Sequence, residues 1–139
     1  MDLFNWAWLE QWVDSSKNGT VPELIAKTPV ADILSAVRKQ TAILDEILRL
    51  TANRTAADPM MLDEMVLGIR GSILMHKTAA VMVQPGVLSE YEIADELRRF
   101  ESQLTEVWHK RNKPSEYYRV REAMMKIAEK LDAQEKARS

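Results

Sequence analysis

The sequence predicts an all-α protein, a bundle of four to five helices with a C-terminal antiparallel helical hairpin. Three observations predict this class. Apolar residues recur at spacings of three and four along most of the chain, which is the period of one helix face. Only four Gly and five Pro interrupt the 139 residues, and the apolar–polar alternation typical of strands is absent. The apolar segments also begin at residues that favour helix starts.

Length and composition narrow the class of protein. A chain of 139 residues predicts a single domain spanning 1–139. The absence of cysteine excludes disulfides and thiolate metal sites. A net charge of −2 provides no general attraction to nucleic acid. We find no signal peptide and no apolar run of about 18 residues, so we expect no membrane span and a cytoplasmic protein.

The N-terminal segment 1–17 is predicted to be an aromatic helix. Phe4, Trp8 and Trp12 are spaced by four and therefore share one face. Three interpretations remain open: the helix packs onto its own bundle, it anchors a partner or neighbouring subunit, or it lies on a membrane surface. Acidic residues on its polar positions argue against anionic lipid, so we retain these three aromatic residues as candidate partner contacts.

The segment 28–53 is predicted to be a helix that begins with Thr28 as cap and Pro29 in the first turn. Its apolar residues follow a heptad spacing, with Gln40 as a polar layer in the middle. Ile43 and Leu50 widen this apolar face beyond a two-stranded seam, which suits a bundle core or a multi-helix coil. The candidate partner contacts on this helix are Val37, Leu44 and Ile47.

Three further helices are predicted over 58–83, 89–111 and 115–132, followed by a frayed tail over 133–139. Ser89 begins a capping box, the best helix start in the chain. Each Gly inside a helix costs about 1 kcal/mol of stability relative to Ala, so its presence calls for a compensating contact. Within 58–83, we therefore expect the small residues Gly68 and Ser72 to allow close approach of a neighbouring helix.

A basic corner lies between the last two predicted helices. Its local interpretation is a helix end followed by a helix start, because cations favour the C-terminal end of a helix dipole and Pro114 stops the helix. Its functional interpretation is an anion site that binds phosphate, nucleic acid or an acidic protein face. The candidate anion-binding residues are His109, Lys110, Arg111, Lys113 and Arg119.

Catalytic and metal-binding patterns are incomplete. Glu106 and His109 have the Glu-x-x-His spacing of di-iron bundles, but one chain lacks the second pair. The chain has no nucleophile elbow and no Gly-rich phosphate loop. We therefore predict a protein that is not an enzyme, with no catalytic residue, metal, cofactor or small-molecule substrate.

The sequence thus predicts an assembly or adaptor protein that acts through helix-mediated protein–protein association. The partner is another protein or a second copy in a homo-oligomer, and a viral or phage structural connector fits this description. Two alternatives remain: a regulator that binds nucleic acid or another polyanion through residues 109–121, and a helical accessory domain of a larger enzyme system.

Overall fold

The computed structural model describes residues 23–52, 59–111 and 114–138 of the chain. Within these ranges, the side chains of 24, 59–64, 107–111, 114–120 and 123 are not described. The predicted N-terminal helix over 1–17 lies outside the described residues.

The described residues are helical and contain no strand, which confirms the all-α class. A short helical turn is followed by four long helices. In chain order these are α1 (Glu23–Ala26), α2 (Val30–Thr51), α3 (Pro59–Val83), α4 (Glu90–Arg111) and α5 (Pro114–Arg138). The predicted bounds of α2, α3 and α4 agree with the structure to within two residues, because Pro and cap residues mark their starts.

Two helix starts show how local sequence sets the bounds. The residue before α2 is Pro29, which has extended backbone angles (φ −58°, ψ 135°) and accepts the backbone bond from Ile33. Thr28 was predicted to be the cap, so the start lies one residue later than expected. At α4, the Glu92 N–H donates to Ser89 Oγ at 3.3 Å, which confirms Ser89 as the N-cap.

Helix α5 continues to Arg138, beyond residue 132, where the sequence placed its end. The prediction of a frayed tail over 133–139 is therefore wrong as far as Arg138. The reason is tertiary contact with the start of α4. Glu135 Oε2 accepts a hydrogen bond from the Tyr91 N–H at 3.1 Å, and Arg138 pairs with Glu90. These partners lie 44 and 48 residues earlier in the chain, so no local pattern indicates them.

The core lies around α3, which packs against α1, α2 and α4; α4 in turn packs against α5. Burial of apolar side chains is the main stabilising contribution, at about 25 cal/mol per Å². The larger buried members of the core cluster are Ile25, Ile33, Leu67, Leu74, Val81, Met82, Ile93, Leu97, Phe100, Leu104, Met124, Ile127 and Leu131.

The close helix approach predicted on α3 occurs at a different glycine. An added Cβ at Gly68 would meet nothing within 4 Å, whereas one at Gly71 would lie 3.1 Å from Phe100 Cζ. The prediction of a close approach at Gly68 is therefore wrong, because α4 places its Phe100 ring on Gly71 instead, and the one at Ser72 stays a prediction. Helical spacing alone could not tell which face of α3 would meet that ring.

One segment of α3, Met65–Val83, is long and apolar enough to cross a membrane by length and composition alone. Half of this segment is buried inside the protein, and a core helix of a soluble protein can have the same length and apolar composition. Within it lie Arg70 and Lys77, whose side chains are partly exposed. The expectation of no membrane span stays a prediction.

Candidate association surfaces

Helix α2 carries more apolar side chains than its neighbour covers. Its main contacts within the described residues are with α3. Ile33 and Leu44 are buried in α2 (1% and 8% exposed), while Ile43 and Leu50 remain 54% and 48% exposed. A single helical neighbour covers one side of a helix, and the exposure of Ile43 and Leu50 shows that the described residues leave the second apolar side of α2 partly uncovered.

The open side forms a regular row that we call the outer seam: Ala36, Gln40, Ile43, Ile47 and Leu50. Successive members are spaced four, three, four and three residues apart, which is the alternation of the a and d positions of a heptad. Ala36, Gln40 and Ile47 are partly exposed. The row therefore runs as one continuous, largely apolar stripe along α2.

Gln40 is the polar member of the outer seam. Its Oε1 atom is buried and has no hydrogen-bond partner among the described residues. A buried amide oxygen without a partner costs free energy, of the order of 1–3 kcal/mol. Because the protein itself covers this oxygen, a partner docked on the outer seam would not reach it.

Charged residues border the outer seam on the side away from α3. Lys39 and Glu46 follow the seam one heptad apart, at positions equivalent to g, and both are exposed. Glu46 also pairs with Arg49 at 2.6 Å. This carboxylate raises the pKa of the Arg49 guanidinium by hydrogen bonding to it. The border thus has a cation, Lys39, nearer the start of α2 and a carboxylate, Glu46, nearer its end.

The predicted contacts on α2 have different environments. Leu44 is buried and lines a cleft with Ile73 and Leu74, so it is not accessible to a partner on the outer seam. Val37 is partly exposed and borders the buried side. Ile47 belongs to the outer seam. Ile43 and Leu50 were recognised as apolar excess but were not among the predicted contacts; their heptad spacing with Ile47 was the signal.

A second surface is the cleft between α2, α3 and α4, with a volume of about 420 Å³. Its floor is apolar and its rim is basic. The rim cations are engaged: Lys77 pairs with Glu96 at 3.1 Å, and Arg70 donates to Gln103 Oε1 at 3.4 Å. The residues that line the cleft are Thr41, Leu44, Arg70, Ile73, Leu74, Lys77, Glu96, Arg99, Phe100 and Gln103.

The basic corner falls largely outside what the structure describes. The backbones of His109, Lys110, Arg111 and Arg119 are helical, but their side chains are not described, and Lys113 lies outside the described residues. A neighbouring cation, Arg121, pairs with Glu101 at 3.0 Å. The anion site stays a prediction, and Arg121 has an internal role in the contact between α4 and α5.

The aromatic anchor residues Phe4, Trp8 and Trp12 also lie outside the described residues. Within the described part of the chain, no group of three or more His, Asp or Glu side chains is placed to hold a metal ion.

No protein-family model, no curated protein and no solved structure matches the chain.

Proposed function

We propose that this protein is an assembly or adaptor protein, without enzymatic activity, that works through helix-mediated protein–protein association. The outer seam of α2 is the association surface. Its partner is an amphipathic helix whose apolar residues also alternate at spacings of three and four, because only that spacing matches the seam over several turns.

The exposure of Ile43 and Leu50 carries this proposal. Two large apolar side chains, each about half exposed, lie seven residues apart on one helix face. Full burial of such a side chain stabilises by about 1.5–3 kcal/mol relative to exposure. Covering the exposed halves of both residues therefore contributes a few kcal/mol to association, before the cost of bringing two molecules together.

The arrangement of the last two helices, α4 and α5, is a second part of the proposal. We infer that α4 and α5 form the antiparallel hairpin of a helical bundle. Three ion pairs support this order: Glu90 with Arg138, Arg98 with Asp132, and Glu101 with Arg121. Pairs that lie later in α4 involve residues that lie earlier in α5, which is the order expected of two antiparallel helices.

The test replaces the exposed apolar residues of the seam. The double variant Ile43→Lys/Leu50→Lys places two charges on the seam, and its helicity should be unchanged because neither side chain is buried. Light scattering from about 1 to 100 μM protein, the range of weak helical association, reports self-association. Chemical crosslinking of the chain in its native host reports association with any other protein.

The matched control is Tyr91→Lys, since Tyr91 is a 47% exposed large side chain on α4. We expect the seam variant to lose association while Tyr91→Lys retains it. Two results together would overturn the proposal. The wild-type chain would stay monomeric at the highest concentration, and the seam variant and the control would keep the same crosslinked partners in the host.

A further inference from the structure

We propose that the partner of the outer seam is the outer seam of a second copy, packed in the antiparallel orientation about a two-fold axis. This inference rests on the proposed function and adds the identity, direction and register of the partner. Two features of α2 carry it: the spacing of the seam and the signs of the charges along its border.

The spacing allows the seam to pack against itself. In a two-stranded coil, residues at a and d alternate along the contact, and an antiparallel pair places each a residue in the same layer as a d residue. The outer seam provides Gln40 and Ile47 as a residues and Ala36, Ile43 and Leu50 as d residues. The small Ala36 then packs against the large Ile47 of the second copy, and Gln40 against Ile43, while Leu50 lies at the end of the contact, opposite position 33 and outside the paired layers.

The border charges select the antiparallel direction. In that orientation, g positions of the two helices face each other. The register that pairs Ala36 with Ile47 also brings Lys39 of one copy next to Glu46 of the other. Two-fold symmetry repeats the contact, so two Lys–Glu pairs form.

A parallel pair lacks this complementarity. There, g positions face e positions, which on α2 are Val37, Leu44 and Thr51. Leu44 is buried, Val37 is apolar, and Thr51 donates its hydroxyl to the Ile47 carbonyl. None of these side chains can pair with Lys39 or Glu46, so the exposed charges of α2 favour the antiparallel pair.

Gln40 lies at the centre of the proposed contact. In the proposed pair, the two Gln40 side chains lie in adjacent layers beside the two-fold axis. The Oε1 atom of Gln40 is covered within a single copy and has no partner among the described residues, so the contact uses the exposed part of the side chain.

Cysteine crosslinking tests the direction, and the absence of cysteine from the chain makes each introduced thiol unique. The variants are Ala36→Cys and Ile47→Cys. In the antiparallel pair, equal positions lie eleven residues apart along the axis, about 16 Å, which is beyond the reach of a disulfide. Neither variant should therefore crosslink to itself, whereas an oxidised mixture of the two should form the mixed dimer. Self-crosslinking of both single variants would show a parallel pair and overturn the inference.

Charge reversal tests the register independently. Lys39→Glu and Glu46→Lys should each raise the dissociation constant about five- to twentyfold, since each replaces two attractive pairs with two repulsive ones. The combined Lys39→Glu/Glu46→Lys variant restores both attractive pairs and should return to within about twofold of the wild type. Arg38→Glu and Asp45→Lys are the matched controls, because both residues are exposed on the opposite side of α2. No recovery in the combined variant would overturn the register.

Failure of this inference can be told from failure of the proposed function. If Ile43→Lys/Leu50→Lys abolishes association but the cysteine pattern is parallel, the seam is the association surface and only the antiparallel pairing is wrong. If that variant abolishes association with another protein while the wild-type chain alone is monomeric, the partner is not a second copy. If it changes no association, the seam itself is not the surface.

Discussion

The carboxylate of Glu90, the first residue of α4, is fully buried and pairs with the guanidinium of Arg138 at the end of α5. The same Oε1 atom accepts a hydrogen bond from the Gly86 N–H at 3.1 Å. The contact joins three parts of the chain: the turn after α3, the start of α4 and the last turn of α5. It explains why α5 stays helical to Arg138.

Replacing Arg138 with Ala should destabilise the protein by about 1–3 kcal/mol, because it leaves a buried carboxylate with a single backbone donor. The partial exposure of Arg138 limits the loss, since water can reach the vacated position. Chemical denaturation measures the change. The control Lys126→Ala removes an exposed pair with Glu122 and should cost less than about 1 kcal/mol. Equal losses in the two variants would contradict a special role for the Glu90–Arg138 pair.

The start of α4 has two caps, one from its own sequence and one from α5. Ser89 Oγ accepts the Glu92 N–H at 3.3 Å, and Glu135 accepts both the Ser89 hydroxyl and the Tyr91 N–H. Ser89→Ala and Glu135→Ala should each cost about 1 kcal/mol. Because the two side chains contact each other, the loss in the double variant should differ from the sum of the single losses. Strict additivity in urea denaturation would show that they act independently. Glu129→Ala, an exposed residue of α5, is the control.

Two glycines of α3 should respond differently to the same substitution. Gly68→Ala adds a Cβ in open space and should stabilise the protein by about 0.5–1 kcal/mol through helix propensity. Gly71→Ala brings its Cβ to 3.1 Å from the Phe100 ring, so part or all of that gain is lost in displacing the ring. Thermal unfolding of both variants provides the comparison. A Gly71→Ala variant as stable as Gly68→Ala would show that the ring moves freely.

Gly86 lies in the turn between α3 and α4 with φ of +87°, a backbone conformation that Gly adopts without strain. A Cβ there would also lie 2.5 Å from Arg138 Nη1. Gly86→Ala should therefore cost about 1–2 kcal/mol from backbone strain plus the loss of the Arg138 contact. In an Arg138→Ala background only the backbone cost should remain. The same cost in both backgrounds, measured by denaturation, would show that Arg138 is not displaced.

The candidate association surface was only partly predictable. The heptad spacing of α2 and its excess of apolar residues are visible in the sequence and predict Ile47 as a contact. The same pattern predicts Leu44 as a contact, yet Leu44 is buried. Periodicity shows that a helix face is apolar, but the neighbouring helix determines which part of that face it covers.

The sequence by itself determined the helical class, the starts of α2, α3 and α4, and the Ser89 cap, because these depend on residues within a few positions of one another. Tertiary structure alone decided that α5 reaches Arg138, that Phe100 packs on Gly71, and that Ile43 and Leu50 stay exposed while Leu44 is buried. Each of these outcomes depends on where a second helix lies, and contacts between residues distant in sequence are not encoded in any local period.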